Sequence, residues 1–417
     1  MNLRHSDVLA EGGRVDPVAH PVAAERWRRA GGFLALERNV ALVAGAMFLM
    51  GLGENLWRRF IPKYLEALGA PVVAIGLYGS AQDLLDGLYQ YPGGWVADRY
   101  GRRAALQLFI TLAAAGYVVY LLAPSWPFLF LGLALVMAWS SMASPTLFAV
   151  VGDALPKGRR AMGFTVQAIL RRMPIVIAPT LGGVAIALYG TRAGVRVGLA
   201  ATLVLALLTL LLGSRVRLPL RDATPMGIAG VWRSIPHPLR WLLASDILTR
   251  TCEAMAGVFI VLYATDVVGV TAPEYGLLVA VEMATAIAVY LPAARLADRT
   301  GRKAFVVATF VAFSFFPLAV AASRSFGALL AAFVVGGLRE IGEPARKALI
   351  VDLADPTLRA RTVGLYYLAR GVAITPAAVV GGLLWTRSPA APFIVAAAIG
   401  LVGMIIFACT VDEAHAA

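Results

Sequence analysis

Gly94-Trp95-Val96-Ala97-Asp98-Arg99-Tyr100-Gly101-Arg102-Arg103 is a short, charged, glycine-bounded stretch between two long apolar segments. It returns as Ala294-Arg295-Leu296-Ala297-Asp298-Arg299-Thr300-Gly301-Arg302-Lys303, with the two aspartates 200 residues apart. A charged turn repeated at that interval points to a duplicated chain. The apolar segments around it point to lipid.

Of the 417 residues, 59% are hydrophobic and 15% charged, and the mean hydropathy is +0.76. Soluble folds sit near about 45–50% apolar and roughly 25% charged, so a soluble domain could not hide this surface. The net charge is +13. Its positive residues lie in short connections between apolar runs, a pattern that orients a membrane protein and argues against nucleic-acid binding. Cys252 and Cys409 both lie inside apolar runs and read as small buried hydrophobes, without a disulfide framework. Residues 1–38 are polar and arginine-rich, with no signal-peptide pattern, and are expected to form a cytoplasmic tail.

Segments of about 20 apolar residues are expected at 39–65, 73–97, 103–123, 126–153, 160–189, 194–213, 238–264, 274–297, 303–322, 326–352, 360–385 and 390–411. Spans of this length satisfy their backbone internally only as helices. The expected fold is therefore an all-α membrane protein with twelve transmembrane helices in two six-helix parallel repeats. The division is a tail at 1–38, a bundle at 39–213, a basic cytoplasmic linker at 214–237, a second bundle at 238–411 and a tail at 412–417. Lys and Arg crowd the even connections, as in Arg99, Arg102 and Arg103 or Lys157, Arg159 and Arg160. Those connections and both termini are thus expected on the cytoplasmic side of the cell (inner) membrane.

The repeat reaches beyond the charged turn. Gly76 matches Gly276 and Pro92 matches Pro292; Glu54 matches Glu253, Phe60 matches Phe259, Pro145 matches Pro344, Asp153 matches Asp352, and Gly182-Gly183 matches Gly381-Gly382. With this pattern the sequence resembles the major facilitator superfamily of secondary transporters. That family's G-x-x-x-D-R-x-G-R-R/K loop is satisfied by Gly94, Asp98, Arg99, Gly101, Arg102 and Arg103, and its second copy by Asp298, Arg299, Gly301 and Arg302. The resemblance implies a cavity exposed alternately to each side. Physically, Asp98 at a membrane edge could dock on the positive N-terminus of the eleventh helix and latch the halves, and Asp298 could do so on the fifth. On the fifth span, Ala178-Pro179-Thr180-Leu181-Gly182-Gly183 is similar to the core motif of drug–proton antiporters, although Pro174 stands where that motif has a glycine. Pro179, Gly182 and Gly183 would equally serve a kink and close helix packing.

A charge at mid-span costs about 2.5–3.5 kcal/mol, so each needs a partner, a water-filled cavity or a function. The candidates for a proton and substrate cavity are Glu54, Arg58, Asp83, Asp86, Arg171, Asp246, Arg250, Glu253, Glu282, Arg339, Glu340, Glu343 and Arg370. Glu54–Arg58 and Asp246–Arg250 read as i,i+4 ion pairs, and Arg339, Glu343 and Lys347 as one helix face. Adjacent Arg171 and Arg172 point about 100° apart and cannot share one cavity. Serines replace charges on the fourth span, at Ser140, Ser141 and Ser144, which favours the C-terminal half for charge handling. Glu343 and Glu54 are the favoured titrating carboxylates. The arginines suit an anionic group, whereas Asp83, Asp86, Tyr78, Tyr89 and Tyr91 would suit a cation, and an amphiphilic or anionic organic solute is expected.

Function is then expected to be proton-coupled export of a small organic solute by a monomer, with H+ as coupling ion and neither cofactor nor metal. Uptake symport of an organic anion and lipid flipping are alternatives on the same fold. A membrane-embedded enzyme is disfavoured, because His5, His20, His237 and His415 all lie outside the spans and no G-x-x-x-x-G-K-S/T loop occurs.

Overall fold

In the computed structural model the charged stretch is helix and not loop. The structure describes residues 38–143, 160–213, 235–353 and 359–411. No glycine or proline separates Trp95 from Tyr100, so helical bonding runs on until a residue can leave it. Helix α2 (Val72–Tyr100) thus carries the motif's acid on its last turns, and Gly101 alone turns the chain into α3 (Arg102–Leu122). The second copy does the same through Gly301, between α8 (Ala272–Thr300) and α9 (Lys303–Ala322). Gly101 has φ 86° and Gly301 φ 103°, in a region that side chains other than glycine's avoid. The expected loop is thereby corrected to a one-residue turn.

The remaining expected spans also fall on helices. Helix α1 (Arg38–Trp57) passes through a 3-10 turn (Arg58–Phe60) into Ile61–Ala67. Helix α4 (Pro127–Met137) ends π-helical at Ala138–Met142. One run, Arg160–Gly213, is bent at Gly190 (φ 80°) into α5 (160–189) and α6 (191–213). Helix α7 is His237–Gly257, resumed at Ile260–Leu262 and π-helical over Tyr263–Val268. Helix α10 comprises Phe326–Leu338 and Glu343–Asp352, α11 comprises Arg359–Ile374 and Ala377–Trp385, and α12 is Ala391–Thr410. No strand occurs among the described residues. The two tails, residues 214–234 of the expected linker, Ser144, Pro145 and Asp153 lie outside them. Large apolar side chains such as Leu131, Leu207 and Ile405 are exposed, as a lipid-facing perimeter requires.

Backbone irregularities follow the duplication. The 3-10 turn at 58–60 in α1 and the interruption after Gly257 in α7 sit one repeat apart, as do the π segment at 138–142 and the break at 339–342 in α10. That break overturns the single helix face expected for Arg339, Glu343 and Lys347, because it lies between the first residue and the other two.

The halves meet along two seams, α2 against α11 and α5 against α8. At the end remote from the termini both close tightly. A Cβ at Gly76 would lie 2.5 Å from the Ala378 carbonyl oxygen, and one at Gly276 would lie 2.5 Å from that of Pro179. The repeated glycine lets backbones touch on both seams.

Candidate functional site

Between the seams lies a cavity of about 410 Å3, within the range of small-solute sites. Helix α1 supplies Glu54, Arg58 and Arg59; α2 supplies Gln82 and Asp83; α5 supplies Arg171 and α7 supplies Glu253. The α1 residues stand where the helix tightens into its 3-10 turn, which brings Arg58 and Arg59 to one wall. Glu54 is buried and accepts a hydrogen bond from the Tyr117 hydroxyl at 2.8 Å on Oε1. Its other oxygen has Arg58 at 3.7 Å, a loose contact. Arg59, Arg171 and Asp83 form no ion pair within 4.0 Å among the described residues.

The other expected cavity residues do not line it. Asp86 accepts a hydrogen bond from the Ser141 hydroxyl. Arg172, diverging from Arg171 as the helix geometry requires, reaches Glu340 of α10 at 2.6 Å and stacks over Tyr290 of α8 with 4.6 Å to the ring centroid. Arg339 pairs with Glu282, lies 3.5 Å from Glu253, and covers Phe316 at 4.5 Å.

The densest charge cluster is a closed ionic core in the C-terminal half. Asp246 was expected to pair with Arg250, but that contact is 3.9 Å and lacks a hydrogen bond. That expected pair is present but long, and the shorter partners of Asp246 are Arg346 at 2.6 Å, Arg370 at 3.2 Å and the Tyr366 hydroxyl at 3.0 Å. A helical i,i+4 spacing sets two side chains near each other, but the shorter contact goes to the helix whose guanidinium points head-on. Glu343 has both oxygens engaged, by Arg346 at 2.8 Å, Arg250 at 3.0 Å and Lys347 at 3.3 Å. Arg250 also holds Glu253 at 2.7 Å. Arg346, Tyr366 and Tyr117 are the residues that spacing missed. A fully buried acid such as Asp246 demands a cation, and that demand was the available signal.

The side chains of Asp98 and Asp298 and the surroundings of Gly94 lie outside the described residues, so the docking of the two aspartates on α11 and α5 lies there too. Arg99 is exposed against Trp95 and Tyr100, at 5.7 and 5.8 Å from their ring centroids. Arg103 and Arg299 are exposed and Arg102 is half-buried. Arg302 pairs with Asp352, tying the second turn to the end of α10. The α5 pattern has a mechanical part. A Cβ at Gly182 would lie 1.8 Å from the Leu56 carbonyl oxygen of α1, and one at Gly183 would lie 2.3 Å from that of Ala272 on α8. Pro179 faces Gly276 in the same seam.

The profile of the Major Facilitator Superfamily matches residues 43–245 and 242–416. An uncharacterized MFS-type transporter of Methanocaldococcus jannaschii is 20% identical over 381 residues, 89% of this chain and 94% of that protein. The solved structure of the nucleoside transporter NupG has a TM-score of 0.75 at 13% identity, covering 90% of this chain and 100% of its own. That of a POT family transporter has a TM-score of 0.74 at 13% identity, covering 89% and 94%. Identities this low in the solved structures speak to the fold alone. Helix at each expected span among the described residues, a cavity between the halves and a family profile spanning both agree: the chain is a multi-pass membrane protein that belongs to the major facilitator superfamily of transporters.

Proposed function

We propose that this transporter exports a small organic solute by alternating access, driven by proton entry. The observation that carries this reading is a solute-sized cavity between two repeat-related halves, whose lining includes Arg59, Arg171 and Asp83 without an ion pair among the described residues. The paired glycine contacts at the end remote from the termini form a seal that separation of the seams would open. Glu54 is the proton carrier in this reading. It faces the cavity, only one of its oxygens accepts a hydrogen bond, and its single cationic neighbour within ion-pair distance is loose. Glu343 suits the role less well, since a proton would have to displace contacts on both its oxygens. Export rests on the α5 pattern at Pro179, Gly182 and Gly183. The Lys and Arg of the even connections support an orientation in the inner membrane with both termini on the cytoplasmic side. One chain holds both halves and the whole cavity, so a monomer suffices.

The test is transport by the purified chain in liposomes under an imposed pH gradient, screened with anionic, cationic, zwitterionic and lipid-like solutes. The reading expects solute to move against its gradient as protons move the other way, and Glu54→Gln to abolish that movement while leaving solute exchange. Gradient-independent movement of every transported solute would remove the proton coupling, and co-directional movement would reverse the export.

A further inference from the structure

We infer that the transported solute is a zwitterion, its acidic group held by Arg171 with Arg58 and Arg59 and its basic group by Asp83. This deepens the transport reading above and rests on it. The cavity is lined by groups of both signs that lack an ion pair among the described residues, Arg171 and Arg59 against Asp83, and these define a cationic and an anionic pole. The charged neighbours of Arg171 are Arg58, Arg172, Asp86 and Glu54. Those of Asp83 are Glu253, Asp86 and Arg370. Arg171 and Asp83 line one cavity, and among the described residues they form no ion pair with each other within 4.0 Å.

Each pole lacks a counterion in a different sense. Arg171 shares its wall with the cation Arg58, and its nearest acids are engaged elsewhere, Glu54 by Tyr117 and Asp86 by Ser141. Guanidinium groups with open forks take carboxylate or phosphate oxygens in pairs. Asp83 faces a second carboxylate, Glu253, whose own cations are Arg250 and Arg339, and its cationic neighbour Arg370 is paired with Asp246. A buried, unpaired carboxylate is stabilised by an incoming ammonium group. A monoanion would satisfy the first pole and leave Asp83 against Glu253. A monocation would leave the guanidinium groups unmet. A solute with both charges meets both poles, and Ile175, Val258 and Val261 in the lining suit an apolar body. The repeat explains why Arg171 is free. Its equivalent, Arg370, is neutralised by Asp246, but the place equivalent to Asp246 is Met47.

The experiment measures ligand-dependent thermal stabilisation of the full-length protein purified in detergent. The probes are leucine, γ-aminobutyrate and alanyl-alanine, each beside its N-acetyl derivative (anion only) and its amide (cation only). The expected result is that at least one zwitterion binds about tenfold more tightly than either derivative. Asp83→Asn should erase its advantage over the N-acetyl form, and Arg171→Gln its advantage over the amide. Asp83→Glu and Arg171→Lys, which keep the charges, should restore part of each preference, and a cooperative unfolding transition of each ligand-free neutral variant shows that it is folded. The inference is overturned if a singly charged derivative binds as tightly as its parent, if both neutral variants keep both preferences, or if no probe stabilises the protein. A zwitterion bound with these preferences but not carried across liposomes would sink the transport reading alone. A singly charged solute carried in response to the pH gradient would sink this inference alone.

Discussion

Arg171 of α5 and Arg370 of α11 occupy equivalent places in the repeat, and their surroundings differ by one acid. Arg370 reaches Asp246 at 3.2 Å inside the C-terminal bundle. Arg171 has Met47 where Asp246 would stand, and it faces the cavity without an ion pair. The contrast extends across both halves. Around Arg370, Asp246, Arg346, Glu343 and Arg250 close a network on themselves. Around Arg171, the charges of α1 and α2 stay open to the cavity. A buried ion pair largely offsets its own desolvation and holds helices in place, whereas an open charge can exchange partners. The lesson is that one half is braced by its charges and the other presents them.

The largest effect should come from unbracing the C-terminal half. Asp246→Leu leaves Arg346 buried beside Arg370 with no acid between them, and should destabilise by about 3–5 kcal/mol, read as a lowered unfolding midpoint in detergent. A wild-type midpoint would mean that the network is not structural. Next come the seams. Gly183→Ala puts a Cβ 2.3 Å from the Ala272 carbonyl oxygen, while Gly382→Ala puts one 3.3 Å from that of Val72. The first should cost on the order of 1–3 kcal/mol of overpacking and raise labelling of a cysteine placed in the cavity from the side remote from the termini. The second should change little, and equal labelling in the two variants would make the seams alike. Converting one half into the other is sharper in chemistry and smaller in energy. Met47→Asp offers Arg171 the partner that Arg370 has, so solute affinity should fall about tenfold at an unchanged unfolding midpoint. Unaltered affinity would show that Arg171 is not part of the binding pole. The smallest effect is expected for Arg172→Gln, which removes the bridge to Glu340 between the halves. Both partners are partly exposed, so stability should change by less than about 1 kcal/mol. Cysteine cross-linking rates across the α5–α8 seam would report any wider opening.

Much of this architecture can be read from the residues. Apolar spans, the recurring offset and the two turn glycines dictate a duplicated helical bundle, and Gly190 divides 160–213 where two spans are expected. The helical end of α2 is harder to see, because charged residues read as a loop while nothing in Trp95–Tyr100 breaks a helix. Charge pairing is less legible still. Spacing finds Glu54–Arg58 and Asp246–Arg250, yet these are the longer contacts at 3.7 and 3.9 Å. Short contacts that spacing cannot reach join helices about a hundred residues apart, as with Asp246 and Arg346, and depend on how the helices are aimed at each other. Local periodicity carries no information about that aim. The same limit bears on the expected division of charge: in the C-terminal half Asp246, Arg346, Glu343 and Arg250 pair with one another, and Glu253 also lines the cavity.

The division of labour is tested most directly by Glu54→Gln and Glu343→Gln, compared side by side for unfolding midpoint and pH-gradient-driven transport in liposomes. The account predicts that Glu54→Gln keeps the wild-type midpoint and solute exchange but loses gradient-driven transport, while Glu343→Gln unfolds at a clearly lower temperature. A Glu343→Gln protein with a wild-type midpoint and no gradient-driven transport, beside a fully coupled Glu54→Gln protein, would contradict it.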